Sequence, residues 1–494
     1  MKVLLVYPAF PDTFWSFKHA LKFVSRKSTA PPLGLLTIAS MLPEDWELQL
    51  IDMSVNNLKD ESLEWADMVL ISAMQIQRES VLGVIERCKS YDLTIVAGGP
   101  LFTAYSSDFL ETDIDHFVLN DGEATLPRFL EDWQNGIPQR VYSDSAMPSL
   151  KNTPVPRWDL VNLRRYAEVN IQYSRGCPYN CDFCDIGILF GRKIRTKSKE
   201  QIIAELDSLY SSKWKGNVFF VDDNFIGNKP KLKRDLLPAL HTWQKRHGFP
   251  FTFSTEASID LADDAELRSL MIVCGFTSVF IGIETVNEDS LQECNKLHNK
   301  NRDTLECVRI IHESGMMVKG GFIVGFDNDK KSIFETLENF IQESGIVTAM
   351  VGLLHAPRGT SLYERLINEN RILGDSSGNN TDSSINFVPK MELSELIEGY
   401  KKLNREIYSP KEYYQRVRQF LLDFHPLRLR IKPLLGWKDI SAFLKTLFVL
   451  GIVEEERRYY WNLLFWTIRK RPSLFAHAVT LSIYGFHFRK VFEL

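Results

Sequence analysis

The residues with the densest chemistry form one short run, Arg175-Gly-Cys-Pro-Tyr-Asn-Cys-Asp-Phe-Cys184, a Cys-x3-Cys-x2-Cys triad of Cys177, Cys181 and Cys184. Three thiolates hold three irons of a [4Fe–4S] cube and leave the fourth iron with an open position, which is what activating a substrate at a metal requires. A structural zinc site or an ordinary ferredoxin cluster takes four protein ligands. The rival is a zinc ion completed by a distant residue, but no histidine stands nearby and the spacing is wrong for the common zinc modules. Cys88, Cys274, Cys294 and Cys307 are scattered singly and read as packing residues. Seven cysteines, an odd number, also disfavour a disulfide framework.

Such a triad needs a scaffold, and the chain around it alternates strands with helices. Apolar runs at 169–174, 217–221, 251–255, 278–283, 317–324 and 347–353 are separated by helical patterns at 199–212, 231–245, 263–274, 302–314 and 331–343. Six repeats are two short of a closed eight-stranded barrel, so the expectation is a partial (β/α)6 barrel with the triad after its first strand. Polar residues recur at the strand ends: Asp222-Asp223-Asn224, Glu256, Gly282-Ile-Glu284 and Gly320-Gly321.

A second alternation precedes it. Strands at 2–7, 68–72, 94–98 and 116–120, with helices at 33–42 and 77–89, predict a doubly wound parallel sheet. In that fold a ligand binds beyond the carboxyl ends of the strands. Pro8–Phe10, Ala73–Gln75, Gly98-Gly99-Pro100 and Asn120–Glu123 occupy those ends; Gly98 and Gly99 would let a large ligand approach the backbone, or simply make a turn. Prolines 138, 148, 154 and 156 mark a linker. The expected domains are 1–135 (sheet), 136–160 (linker), 161–375 (barrel) and 376–494 (a mostly helical extension), with a mobile loop at 374–384.

The bulk numbers set limits. At 494 residues several domains are expected, and a net charge of -4 argues against a nucleic-acid partner. The start lacks the pattern of a secretory signal, so a cytoplasmic protein is expected. Residues 411–494 differ in character, with 15 Lys/Arg against 7 Asp/Glu and many aromatics. The run 472–488 is too short and too polar to span a bilayer. That tail either roofs the active site or rests on the inner membrane surface.

The triad and its setting resemble the radical S-adenosylmethionine superfamily. The preceding sheet resembles its cobalamin-binding class. Two further stretches, Tyr7-Pro-Ala-Phe-Pro-Asp-Thr-Phe-Trp-Ser-Phe-Lys18 and Val479-Thr-Leu-Ser-Ile-Tyr-Gly-Phe-His-Phe-Arg489, are similar to a bacterial subgroup that includes the hopanoid C-2 methylase and the bacteriochlorophyll side-chain methylases. The resemblance implies a [4Fe–4S] cluster on Cys177, Cys181 and Cys184 that chelates S-adenosyl-L-methionine, and cobalamin at the N-terminal sheet, with Gly98, Gly99 and Glu123 as candidate contacts. It implies Phe183 and Gly321 near adenine, Glu284 as a ribose ligand, and acidic groups at Asp223 and Glu256. The superfamily commonly has Gly-Gly-Glu where this chain has Asp222-Asp223-Asn224. The Asp-x-His-x-x-Gly motif that places a histidine on cobalt is absent, and His19 reads as structural.

The expected activity is methyl transfer to an unactivated carbon of a large apolar substrate, a hopanoid-like lipid or tetrapyrrole pigment. A one-electron reductant such as flavodoxin or ferredoxin would serve it. A cobalamin-dependent oxidative cyclase or rearrangement enzyme is the rival activity. A corrinoid or redox sensor is the non-enzymatic rival, disfavoured because a sensor needs no open iron.

Overall fold

A computed structural model describes residues 1–379, 381–426 and 437–492. The chain folds as two compact units. The first comprises Met1–Pro11, Lys27–Pro178 and Ile186–Lys215; the second comprises Asp12–Arg26, Tyr179–Asp185 and Gly216–Leu494.

The first unit holds a parallel sheet of β1 (Lys2–Tyr7), β2 (Glu47–Asp52), β3 (Met68–Ser72), β4 (Thr94–Gly98), β5 (His116–Val118) and β6 (Val141–Tyr142) in the order β2-β1-β3-β4-β5-β6. Alternate residues of β1 serve two cores, as a period of two requires. Leu4 and Val6 pack with Val69, Ile95 and Phe117, while Val3 and Leu5 pack with Leu35, Leu70 and Phe129. The order reverses at β1, so β1 and β3 flank the switch point where doubly wound sheets bind ligands. Two of these strands were not read from the sequence. β2 is an edge strand whose Glu47 and Gln49 break the apolar run, and β6 has two residues inside the segment expected as a linker. β7 (Glu168–Ile171) follows, then β8 (Ser174–Arg175), paired antiparallel with β9 (Arg195–Thr196) as a ribbon at the two ends of the 176–194 loop.

In the second unit β10 (Gly216–Phe220), β11 (Phe251–Glu256), β12 (Phe276–Glu284), β13 (Met317–Val324) and β14 (Thr348–Leu353) run parallel, each beside the next. Helices Leu237–His247, Ala265–Cys274, Thr304–Ser314 and Ile333–Ser344 make the crossovers. Five of the six repeats expected of a partial barrel are thus β10 to β14; the strand expected first, at 169–174, falls on β7 and β8 of the first unit. β14 is buried throughout, consistent with a parallel strand covered on both faces.

Five long helices complete this unit: Leu393–Tyr408, Pro410–Asp423, Trp437–Phe448, Arg457–Lys470 and Phe475–Val491. Ser409 and Pro410 start the second of these, the serine accepting from Glu412 N and the proline filling the first turn. Tyr413, Tyr460 and Phe488 are buried, and a Cβ on Gly485 would meet the Tyr413 ring at 2.3 Å. Phe14, from the Asp12–Arg26 segment, stacks on Phe488 with centroids 4.2 Å apart. Many tail aromatics are therefore core. Among the described residues no helix is long and apolar enough to cross a membrane. The tail expected at 411–494 includes residues 427–436 and 493–494, which lie outside the described residues, as does Asn380 of the loop expected to be mobile. The rest of that loop carries no helix or strand, and Asp375 there pairs with Arg358 at 2.6 Å.

Candidate functional site

At the carboxyl end of β5 the chain turns into helix Gly122–Gln134, and Asp121 and Glu123 sit at that turn. Both carboxylates are spoken for. Arg175, two residues before Cys177, donates to Asp121 at 2.6 Å and to both oxygens of Glu123 at 2.7 and 2.9 Å. Arg195, from the other strand of the ribbon, donates to the second oxygen of Asp121 at 2.6 Å, and the Thr153 hydroxyl donates to Glu123 at 2.9 Å. Burial pushes the Glu123 carboxyl up, but the Arg175 guanidinium outweighs it and holds the group at about 2. The sequence points to the 120–123 turn, with Glu123 as a cofactor contact, but not to Arg175 and Arg195 as the cations that answer its acids. The clue was an arginine inside the cysteine motif, whose fork suits two carboxylates.

The glycines of this end have internal reasons for being there. A Cβ on Gly98 would lie 2.6 Å from Val118 O. Gly99 adopts φ +89°, and a Cβ there would meet Ser72 Oγ at 2.5 Å. Close strand packing and a left-handed turn account for both.

The boundary between the units falls inside the cysteine motif, after Pro178. In the first unit Cys177 N donates to Gly191 O at 3.2 Å. In the second, Cys184 N donates to Cys181 O at 3.2 Å, a tight turn that brings those two residues together. A short segment after β12 clamps this turn. Asp182 N donates to Cys294 O at 3.0 Å, Asn295 Nδ2 donates to Asn180 O at 2.7 Å, and Tyr179 stacks on His298 with centroids 3.6 Å apart. Phe183 packs against Phe326 on the edge of a cluster with Cys294, Leu354 and Leu362.

The same segment carries Lys296, whose ammonium donates to Glu284 at 2.7 Å. Burial disfavours its charge, yet Glu284 and the thiols of Cys181 and Cys184 more than compensate and raise its pKa. Glu284 ends β12 at φ +64° after a register shift, a conformation uncommon for a side chain with Cβ. Its carboxylate folds back over Gly282, where a Cβ would lie 2.3 Å from Glu284 Oε1 and 3.1 Å from Lys296 Nζ. The Gly282-Ile-Glu284 run is thus one local device: a strained glutamate, room made by glycine, and a lysine that fixes the acid. Gly321 pairs with Gly282 across the sheet, and a Cβ on it would strike the Phe280 ring at 2.7 Å.

Glu256, at the end of β11, is in a different electrostatic state. Burial, then Asp223 and Asp222, push its carboxyl up to about 8. Beyond β13, Asp329 accepts from Gly325 N and Phe326 N and from the Ser290 hydroxyl, which fixes the turn at Gly325.

The donors suit an iron–sulfur cube better than a single ion. Cys177, Cys181 and Cys184 are partly exposed and in no disulfide. Among the described residues no three ligating side chains converge on a point that a single metal ion could occupy. Cys294 is no fourth ligand: its thiol is buried, pushed up to about 12 chiefly by burial, and directed at Leu291 O. His19 lies in the short helix Lys18–Leu21 of the second unit, 5.7 Å ring to ring from His487, so it belongs to the tail packing and not to the sheet.

Comparison with known proteins agrees with this geometry. Residues 171–341 match the radical SAM superfamily, residues 22–130 a B12 binding domain, and residues 360–494 a domain of unknown function. An uncharacterized methyltransferase of Synechocystis is 39% identical over 100% of this chain and 92% of its own. The hopanoid C-2 methylase of Rhodopseudomonas palustris is 35% identical over 86% of this chain and 81% of its own. Among solved structures, the radical S-adenosylmethionine methyltransferase TsrM from Kitasatospora setae, with cobalamin and a [4Fe–4S] cluster bound, superposes with a TM-score of 0.62 over 100% of both chains. Its 14% identity speaks for the fold alone. The chain belongs to the cobalamin-binding radical S-adenosylmethionine methyltransferases, the group that also holds the hopanoid C-2 methylase and the bacteriochlorophyllide methyltransferases, and its cofactors are a [4Fe–4S] cluster, S-adenosylmethionine and cobalamin.

Proposed function

We propose that this enzyme methylates an unactivated carbon of a large apolar molecule, either a hopanoid-like lipid or a tetrapyrrole pigment. The observation that carries the reading is the 35% identity with the hopanoid C-2 methylase across most of both chains, in a protein that keeps all three thiols of the triad. When bound, S-adenosylmethionine and the cluster would supply the means to remove a substrate hydrogen atom, and cobalamin the methyl group.

The chain's own residues hold and orient. Cys177, Cys181 and Cys184 take the cluster, and the clamp of Cys294, Asn295 and His298 fixes the loop that carries two of them. Glu284, steadied by Lys296, takes the ribose, while Phe183 and Gly321 border adenine. Asp223 and Glu256 supply negative charge for the ammonium and sulfonium of S-adenosylmethionine. The carboxyl ends of the first sheet, with Gly98, Gly99 and the Glu123 turn, would hold cobalamin, and the sequence has no Asp-x-His-x-x-Gly motif to offer it a histidine. The domain limits we propose remain 1–135, 136–160, 161–375 and 376–494. A flavodoxin or ferredoxin gives the electron, and the protein works in the cytoplasm at the inner membrane face.

The test is anaerobic turnover of the reconstituted enzyme on lipid and pigment extracts of a deletion strain. Expected are a product heavier by one CH2, with 5′-deoxyadenosine and S-adenosylhomocysteine formed alongside it. Deoxyadenosine without homocysteine would mean cyclisation or rearrangement. Replacing all three triad cysteines by Ala should abolish cluster absorption and deoxyadenosine together.

A further inference from the structure

We infer that the helical hairpin of Trp437–Phe448 and Arg457–Lys470, within the domain of unknown function, is a docking face for an anionic lipid bilayer. The inference takes its purpose from the apolar substrate proposed above, but not its evidence.

One side of this hairpin is packed. Thr446 and Tyr460 share a buried hydrogen bond of 2.9 Å, Leu463 and Leu464 are buried, and Lys445 is tied to Ser25 Oγ at 2.9 Å. The other side is apolar and bare. Leu444 and Phe448 stand one helical turn apart and are 58% and 61% exposed, and Ile452 beyond them is 62% exposed. On the second helix Phe465 and Ile468 are 60% and 53% exposed. Trp461 links the two sets: it donates to Gly451 O, beside Ile452, at 3.0 Å and stacks on Phe465. Large aliphatic and aromatic side chains lying bare side by side mark a contact surface, whereas the same residues scattered singly would mark nothing.

Charge selects the occupant. Arg457, Trp461, Phe465 and Arg469 follow each other at intervals of four, so cations bracket the aromatic pair on one helical stripe. Arg457, Arg458, Arg469 and Lys470 are all exposed, and among the described residues none of the four is in an ion pair. Glu454 and Glu456 at the turn between the helices are paired with Lys490 and Arg489, which leaves exposed Glu455 against the four cations. An apolar strip with such a cationic excess matches the boundary between acyl chains and anionic headgroups, with tryptophan at headgroup depth. A second copy of the chain would bring four like charges against four. The enzyme would then sit where a greasy substrate is dissolved.

The test is flotation of the full-length holoenzyme with vesicles of phosphatidylcholine alone or mixed with phosphatidylglycerol, with no substrate present. Binding should require phosphatidylglycerol and weaken as salt rises. Arg457→Gln and Arg458→Gln should each weaken it by about five-fold, the worth of one cation at such a surface. Leu444→Asp with Phe448→Asp should abolish it, while Ile137→Asp, an equally bare position in the first unit, should change nothing. All the substituted side chains are solvent-exposed, and circular dichroism checks that the variants fold. Three results would overturn the inference: no binding at low salt, binding that survives the double substitution, or a dimer that the double substitution dissolves without any vesicle binding. Methyl transfer on detergent-dispersed extract is read separately, so either idea can fail without the other.

Discussion

The acids at the two sets of strand ends differ in how their charge is met. In the first unit Asp121 and Glu123 are matched by Arg175 and Arg195 with four hydrogen bonds from arginine. In the second unit Glu256 has only acids among the groups that shift it, and it keeps its proton to about 8. A neutralised pair is complete as it stands and serves to hold parts together. A buried acid raised by other acids is incomplete, and a cationic ligand would relieve it. The difference separates a pair satisfied within the protein from the acid proposed above to meet S-adenosylmethionine, without reference to any relative. Glu284 lies between these extremes, since Lys296 answers its charge while its backbone stays strained.

The sharpest way to break this comparison is to remove the cation. Arg175→Met should destabilise the protein by about 3–5 kcal/mol, because buried Glu123 loses its cation and Asp121 keeps only Arg195. Thermal unfolding would show it; a shift no larger than that of an exposed arginine such as Arg246→Met would mean that the network holds nothing.

Glu256→Gln should do the opposite to stability while weakening S-adenosylmethionine binding by about ten-fold, the worth of one charge-assisted hydrogen bond. Calorimetry and urea unfolding read the two effects independently. Lost stability with unchanged binding would reverse the assignment of framework and site.

A pH series on the cofactor-free protein tests the same acid. The folded-state value of about 8 lies above the ordinary 4.5, so the folded chain holds a proton that the unfolded chain releases. The stability this contributes is complete below 4.5 and is lost as pH rises through 8. Glu256→Gln should flatten that part of the profile. An identical slope in the variant would place the titrating group elsewhere.

The smallest effect belongs to the intermediate case. Lys296→Met removes a buried cation near Cys181 and Cys184. The cluster midpoint potential should fall by something on the order of tens of millivolts, with iron content unchanged and Lys296→Arg restoring the value. A potential that does not move would reduce Lys296 to a support for Glu284.

What the sequence disclosed follows from distance along the chain. The cysteine triad is local, and the barrel strands carry their apolar runs within a few residues, so both were legible. The Arg175 network was not, because its partners lie 52 and 54 residues upstream and nothing in their neighbourhood marks them as buried. Lys296 looked like one more surface lysine, since burial of a single charged side chain leaves no period to read. Strand β2 hid its pattern behind polar edge residues, and β6 is too short to have one. Gly98 and Gly99 invite close approach of a ligand and Gly321 enters through the resemblance alone, while in the structure the atoms nearest a Cβ at the three are those of Val118, Ser72 and Phe280.

The contact between the Asp12–Arg26 segment and helix Phe475–Val491 has a consequence for biosynthesis. His487 meets the carbonyl of Phe14 across 473 residues of chain. At ordinary elongation rates those partners leave the ribosome roughly half a minute to a minute and a half apart. Phe17, whose later ring partners are Tyr484, His487 and Phe488, and the face of Phe14 that stacks on Phe488 stay unmatched throughout that interval, a long time for bare aromatic side chains in a crowded cell. The segment is therefore a natural holding point for a chaperone, and closing it is among the last acts of folding, so late damage to the 475–491 helix should yield a protein that is made, nearly folded and then discarded.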